Sequence, residues 1–121
     1  MNYNLKGTGI DITDELRGYV EKKLELHTDK FLSNDTTAHA DVELEYQELR
    51  HGEHYRAEFT LEASGILYRA ESWGVTLHEA VDLALAELQK ELRRNKKMKL
   101  KMFRHTAVKV KEFLRGWRNK I

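Results

Sequence analysis

Ala40-Asp-Val-Glu-Leu-Glu-Tyr46, Tyr55-Arg-Ala-Glu-Phe-Thr-Leu-Glu-Ala63 and Leu67-Tyr-Arg-Ala-Glu-Ser-Trp73 decide the fold. In the first run Ala40, Val42, Leu44 and Tyr46 alternate with Asp41, Glu43 and Glu45. In the second, Tyr55, Ala57, Phe59, Leu61 and Ala63 form the apolar row. A period of two is the mark of a half-buried strand. Arg50-His-Gly-Glu53 and Ser64-Gly65 supply turn chemistry between the runs, so the three strands form an antiparallel meander. One face needs a cover, which helices must provide. On the other face Asp41, Glu43, Glu45, Glu58 and Glu62 stand together and direct polyanions away from the strands.

Outward from the meander, both flanks read as strand and helix. Tyr3 and Leu5 alternate with Asn4 and Lys6 before Gly7 and Gly9, a short strand running into a turn. Thr13 then caps a helix predicted over about residues 14–31, with Asp14 and Glu15 in its first turn. Its inward row is Leu16, Val20, Leu24, His27 and Phe31. After the meander, Thr76 caps a second helix whose stripe is Leu77, Ala80, Val81, Ala84, Leu85, Leu88 and Leu92. Lys90, Arg94, Lys97 and Lys101 lie about 140° to 180° from the Leu88/Leu92 face and form a cationic ridge. A last amphipathic stretch, residues 108–121, carries Val110, Phe113, Leu114, Trp117 and Ile121 on one side, with Gly116 as a weak point. No proline forces a break before it, and residues 101–106 are the expected hinge. The order is β-α-β-β-β-α, an α+β class.

The formal net charge of +1 conceals a division along the chain. Residues 1–88 carry 8 Lys/Arg against 18 Asp/Glu, whereas residues 89–121 carry 13 against 2. So dense a cationic block calls for solvent or a polyanion, and nucleic acid is the first partner to consider. Each cation that neutralises a phosphate releases a counterion, and arginine adds a planar fork. The alternative is a solvated helix face. No set of residues that reads base edges is visible, as befits recognition by shape and backbone.

Other classes find less support. The 121 residues fit one compact domain with a tail. The absence of cysteine removes disulfides, thiolate zinc sites and cysteine nucleophiles, and suits a reducing compartment; cytoplasm is the expected location. Neither a signal core at the amino terminus nor a run of roughly 18 apolar residues is present, so no membrane role is expected. His51 and His54 have a metal-compatible spacing without further ligands beside them, and no catalytic triad order or phosphate loop occurs. No catalytic residue, metal, cofactor or small-molecule substrate is assigned, and the chain is read as a non-enzyme. Trp73 is expected to lid the core rather than to stack. Phe113 and Trp117 fit packing or a protein and RNA interface better than lipid.

Leu5-Lys-Gly-Thr-Gly9, the run Thr13-Asp-Glu-Leu-Arg-Gly-Tyr-Val-Glu-Lys-Lys-Leu24, His54-Tyr-Arg-Ala-Glu-Phe-Thr-Leu61, Tyr68-Arg-Ala-Glu71 and the helix from Leu77 to Lys97 follow one another in a familiar order. Together they resemble the short form of the ribosome hibernation-promoting factor and ribosome-associated translation inhibitor family across nearly all of residues 3–97. The resemblance implies two helices on one face of a four-stranded sheet, similar to a double-stranded RNA-binding domain. It also implies binding to rRNA in the mRNA and tRNA channel of the small ribosomal subunit, with translation inhibited and idle ribosomes preserved. By position, the implied contacts are Lys22 and Lys23 in the first helix and Lys90, Arg93, Arg94, Lys96 and Lys97 in the second, continued by Lys101. Arg56 and Arg69 match strand arginines common in the family and are weaker candidates.

Without the resemblance, Lys22 and Lys23 read more readily as surface partners of Glu21 and Glu25 than as RNA contacts. Thr76-Leu-His78 departs from the Asp-Met-Tyr of many relatives, which puts in doubt any contact made by that tyrosine. The expected division is a ribosome-binding domain over residues 1–103 and a basic tail over 104–121. That tail is too short for a pairing domain and too basic for the acidic tail of some short members. Ribosome dimerisation would need other factors. A generic module for double-stranded or structured RNA is the alternative.

Overall fold

The structure, a computed structural model, describes residues 1–32 and 35–96. β1 (Asn2–Thr8), α1 (Asp14–Leu32), β2 (His39–Tyr46), β3 (Tyr55–Ala63) and β4 (Ile66–Gly74) follow in order, and α2 runs from residue 77 through residue 96. The expected hinge at 101–106, the tail 104–121, and Lys97 and Lys101 lie outside the described residues.

The sheet has the order β1-β2-β3-β4. β1 and β2 are parallel, with Leu5 opposite Val42. A parallel pair cannot be joined by a tight turn, so α1 makes the crossover. The two hairpins that follow are antiparallel. The Ser64-Gly65 turn is the tightest link: both residues have positive φ, 52° and 75°, the conformation that matches the twist of the flanking strands. Ser64 has a Cβ to accommodate there, and Asp35 holds it, accepting the Ser64 N–H at 2.8 Å and the Thr37 N–H at 2.9 Å.

Thr13 and Thr76 cap as expected: the Thr13 hydroxyl accepts the Leu16 N–H at 3.1 Å, and that of Thr76 accepts the Glu79 N–H at 3.1 Å. Both helices cover one face of the sheet. Val20 and Leu24 of α1, Val42, Leu44, Phe59 and Leu61 of the sheet, and Val81, Leu85 and Leu88 of α2 are all at most 2% exposed. Burying each such side chain contributes about 1.5–3 kcal/mol. Of the expected α2 stripe, Leu77 alone is only partly buried.

Two expectations need correction. The inward row of α1 runs through Thr28, which is fully buried, while His27 is half-buried. Thr28 satisfies its hydroxyl by donating to the Leu24 carbonyl at 2.7 Å, so four-residue spacing from Val20 and Leu24 outweighs polarity. Trp73 does not lid the core. Ala70 and Gly74 are the buried positions of β4, and alternation then sends Trp73 to the outer face, where the Arg50 guanidinium lies 3.6 Å from its ring centroid.

Candidate nucleic-acid interface

Tyr19 of α1 donates its hydroxyl to Asp82 of α2 at 2.9 Å, and its ring meets His78 edge-on with centroids 4.4 Å apart. Twelve residues further on, Phe31 lies beneath two ammonium groups. Lys30 is 5.2 Å and Lys96 5.8 Å from its ring centroid. The helices therefore lie side by side, running the same way, with a groove between them. Burial, followed by a hydrogen bond to Asp82, pushes the Tyr19 phenol up to about 12, so it remains a donor at any physiological pH.

Charge is sorted across this pair of helices. At about 100° per residue, Lys30 falls within roughly 20° of Tyr19, and Arg93 within roughly 20° of Asp82. Lys23 reaches Asp82 at 4.0 Å. The groove flanks thus carry Lys23 and Lys30 from one helix and Arg93 and Lys96 from the other. Acidic residues turn away: Glu21 sits at the β1 side, accepting the Tyr3 hydroxyl at 2.8 Å. Glu91 borders β4 in a depression with Leu67 and Arg94. Asp82 and Glu15 are exceptions, anions at the end of the groove nearer the helix starts. The cationic end is where Lys30 and Lys96 meet over a depression of about 190 Å³ floored by Phe31, Ala63 and Leu92.

The expected site residues divide accordingly. Lys22, Arg93 and Lys96 are exposed on the helices, and Lys23 is half-buried beside Asp82. Lys90 and Arg94 are exposed as the wheel requires, with Arg94 donating to Glu91 at 3.3 Å. Arg56 and Arg69 are not brought to the groove, for alternation sets them on the opposite face of the sheet.

There the Arg56 guanidinium, 12% exposed, bonds to Glu45 and Glu58 at 2.7 Å each, to Glu71 at 3.3 Å, and to Glu43. Arg69 joins Glu58 at 3.1 Å. A hydrogen bond from Gln47, then one from Arg56, hold Glu45 below the ordinary carboxylate value. Burial pushes Glu58 up, but the bonds from Arg69 and Arg56 more than offset it, leaving it lowered. Lys30 was not singled out from sequence. Its signal was its place in the last turn of α1, where a cation also suits the helix dipole.

The family model described as "Sigma 54 modulation protein / S30EA ribosomal protein" matches residues 3–100. Proteins named ribosome hibernation promotion factor are similar in sequence. That of Bacillus subtilis is 26% identical over 86% of this chain and 53% of its own length. For Picosynechococcus the values are 30%, 94% and 58%, and for Deinococcus radiodurans 33%, 78% and 48%. The chain spans about half the length of these relatives.

Among solved structures, the Thermus thermophilus Protein Y N-terminal domain is 33% identical with a TM-score of 0.67, covering 78% of this chain and 98% of that one. A ribosomal subunit interface protein from Coxiella burnetii shares the fold at 21% identity, with a TM-score of 0.68, over 80% and 99% of the two chains. With its helices, sheet and most of its length accounted for by one family pattern, the chain belongs to the Sigma 54 modulation protein / S30EA ribosomal protein family.

Proposed function

We propose that the chain is a ribosome hibernation factor that binds the rRNA of the small subunit, excludes mRNA and tRNA from their channel, and so holds idle ribosomes inactive. The observation that carries this reading is the sorting of charge. Cations from both helices converge on one groove and the surface above it, while the far face of the sheet is acidic and internally paired. A groove flanked by two cationic helices suits a folded phosphate backbone, as in a double-stranded RNA-binding domain, because helical rises of about 1.5 Å per residue space the charges at intervals phosphates can match.

Lys22, Lys23, Lys30, Arg93 and Lys96 flank the groove in this proposal, Lys90 and Arg94 extend its outer surface, and Lys97 and Lys101 prolong the run. The binding domain is residues 1–103, with 104–121 as a cationic supplement. Arg56 and Arg69 are left to the sheet. No chemistry, cofactor or membrane is involved, and the protein acts in the cytoplasm.

Sedimentation on sucrose gradients tests the reading. The chain should migrate with small subunits and be stripped by high salt; a chain found only in the free fraction at low salt, with ribosomes in excess, overturns it. K90E/R94E/K97E should abolish inhibition of translation with the fold intact. Full inhibition by that variant would reject the assigned surface. Binding of any structured RNA as tightly as small subunits would favour a generic RNA-binding module instead.

A further inference from the structure

A second cleft lies at the opposite end of the groove from the Lys30 and Lys96 pair. Glu15, Gly18, Tyr19 and Lys22 of α1 and His78 of α2 line a volume of about 460 Å³, inside the range of roughly 300–1,000 Å³ usual for small-ligand sites. Its aromatic wall is fixed in advance. Tyr19 meets His78 at 60° between ring planes, and the bond from its hydroxyl to Asp82 anchors it at the far end. A ring held this way gives up little freedom when a ligand stacks on it. The Lys23 ammonium stands 5.7 Å from the Tyr19 centroid.

Gly18 supplies an independent indication. It lies inside α1, where glycine is a poor helix former, and its backbone is ordinary helix. A Cβ built there would meet nothing within 4 Å, so neither packing nor conformation requires glycine. What the missing methyl does is open the cleft beside Tyr19. An open cleft with an anchored tyrosine ring and a histidine beside it, cations at its rim and one carboxylate has the chemistry of a nucleobase site.

We propose that this cleft takes one unstacked base of the bound RNA, a subsite that rests on the RNA-binding reading above. The base stacks on Tyr19 against His78, and its phosphates lie at Lys22 and Lys23. The Glu15 carboxylate accepts from an exocyclic amine, which favours adenine, cytosine or guanine over uracil.

The full chain is titrated with a ribose-phosphate oligomer that is abasic throughout and with one that carries a single central adenine. The adenine should strengthen binding about tenfold, and uracil less. Gly18→Ala should raise Tm yet remove most of the gain, while His78→Tyr, which keeps a ring, should preserve it. Equal affinity of the two oligomers for the unmodified chain overturns the proposal, as does an undiminished gain in Gly18→Ala. Sedimentation with small subunits separates the two readings. Co-migration without a base effect rejects the cleft alone, and a base effect without co-migration rejects ribosome binding alone.

Discussion

Arg56 is surrounded by four carboxylates that would repel one another without it. Arg56→Leu is therefore expected to cost about 2 kcal/mol, less than the roughly 3–5 kcal/mol of a fully buried pair because Glu43 and Glu71 are partly solvated. Glu45 and Glu58 titrate below their ordinary value of 4.5 in the folded chain. Lowered carboxylates contribute stability that is present above the unfolded value and lost as pH falls through the folded one. The unmodified protein should lose this contribution in acid below about pH 5, and the deficit of Arg56→Leu should narrow over the same interval. Thermal unfolding of both proteins across that range checks it.

Single residues were unevenly legible. Thr13 and Thr76 declared themselves because a cap is local. The place of Trp73 at a strand end suggests a core lid, but the alternation through Tyr68 and Ala70 turns it outward. Lys30 and the anchoring role of Asp82 were hidden, since each acquires meaning only from the neighbouring helix.

At the scale of elements, the junction of β4 with α2 leaves no room for a side chain at Gly74. A Cβ on Gly74 would lie 2.7 Å from the Ala80 nitrogen and 2.9 Å from the Thr76 carbonyl oxygen. Backbone cannot yield as a flexible side chain does, so Gly74→Ala should destabilise by about 1–3 kcal/mol, measured by denaturant unfolding. Thr76→Ala at the same junction should cost about 1 kcal/mol by leaving a helix N–H without its acceptor. The kinds and order of the elements could be read from period and turn chemistry alone. Their lateral arrangement could not. Nothing in the α1 or α2 sequence states that Tyr19 meets His78, or that the cationic flanks face each other across a groove.

For the molecule as a whole, the division of charge predicts how binding responds to salt. If about six cations engage phosphates, affinity for small subunits should fall on the order of 10³-fold between about 50 and 200 mM monovalent salt. Filter binding or sedimentation over that range measures the slope, and a flat response would be inconsistent with a phosphate interface.

The parallel pairing of β1 with β2 has a further consequence, a kinetic one. β2, β3 and β4 are linked by short hairpins, whereas Asn2 finds His39 only after the chain has looped around the whole of α1. Local closures are entropically cheap and distant ones come slowly. The meander and α2 are thus expected to assemble first, with β1 and α1 joining last. Because the groove needs both helices, a newly made chain would acquire its stable sheet before its binding surface. Pulse-labelled hydrogen exchange should show amides of β3 protected ahead of those in α1.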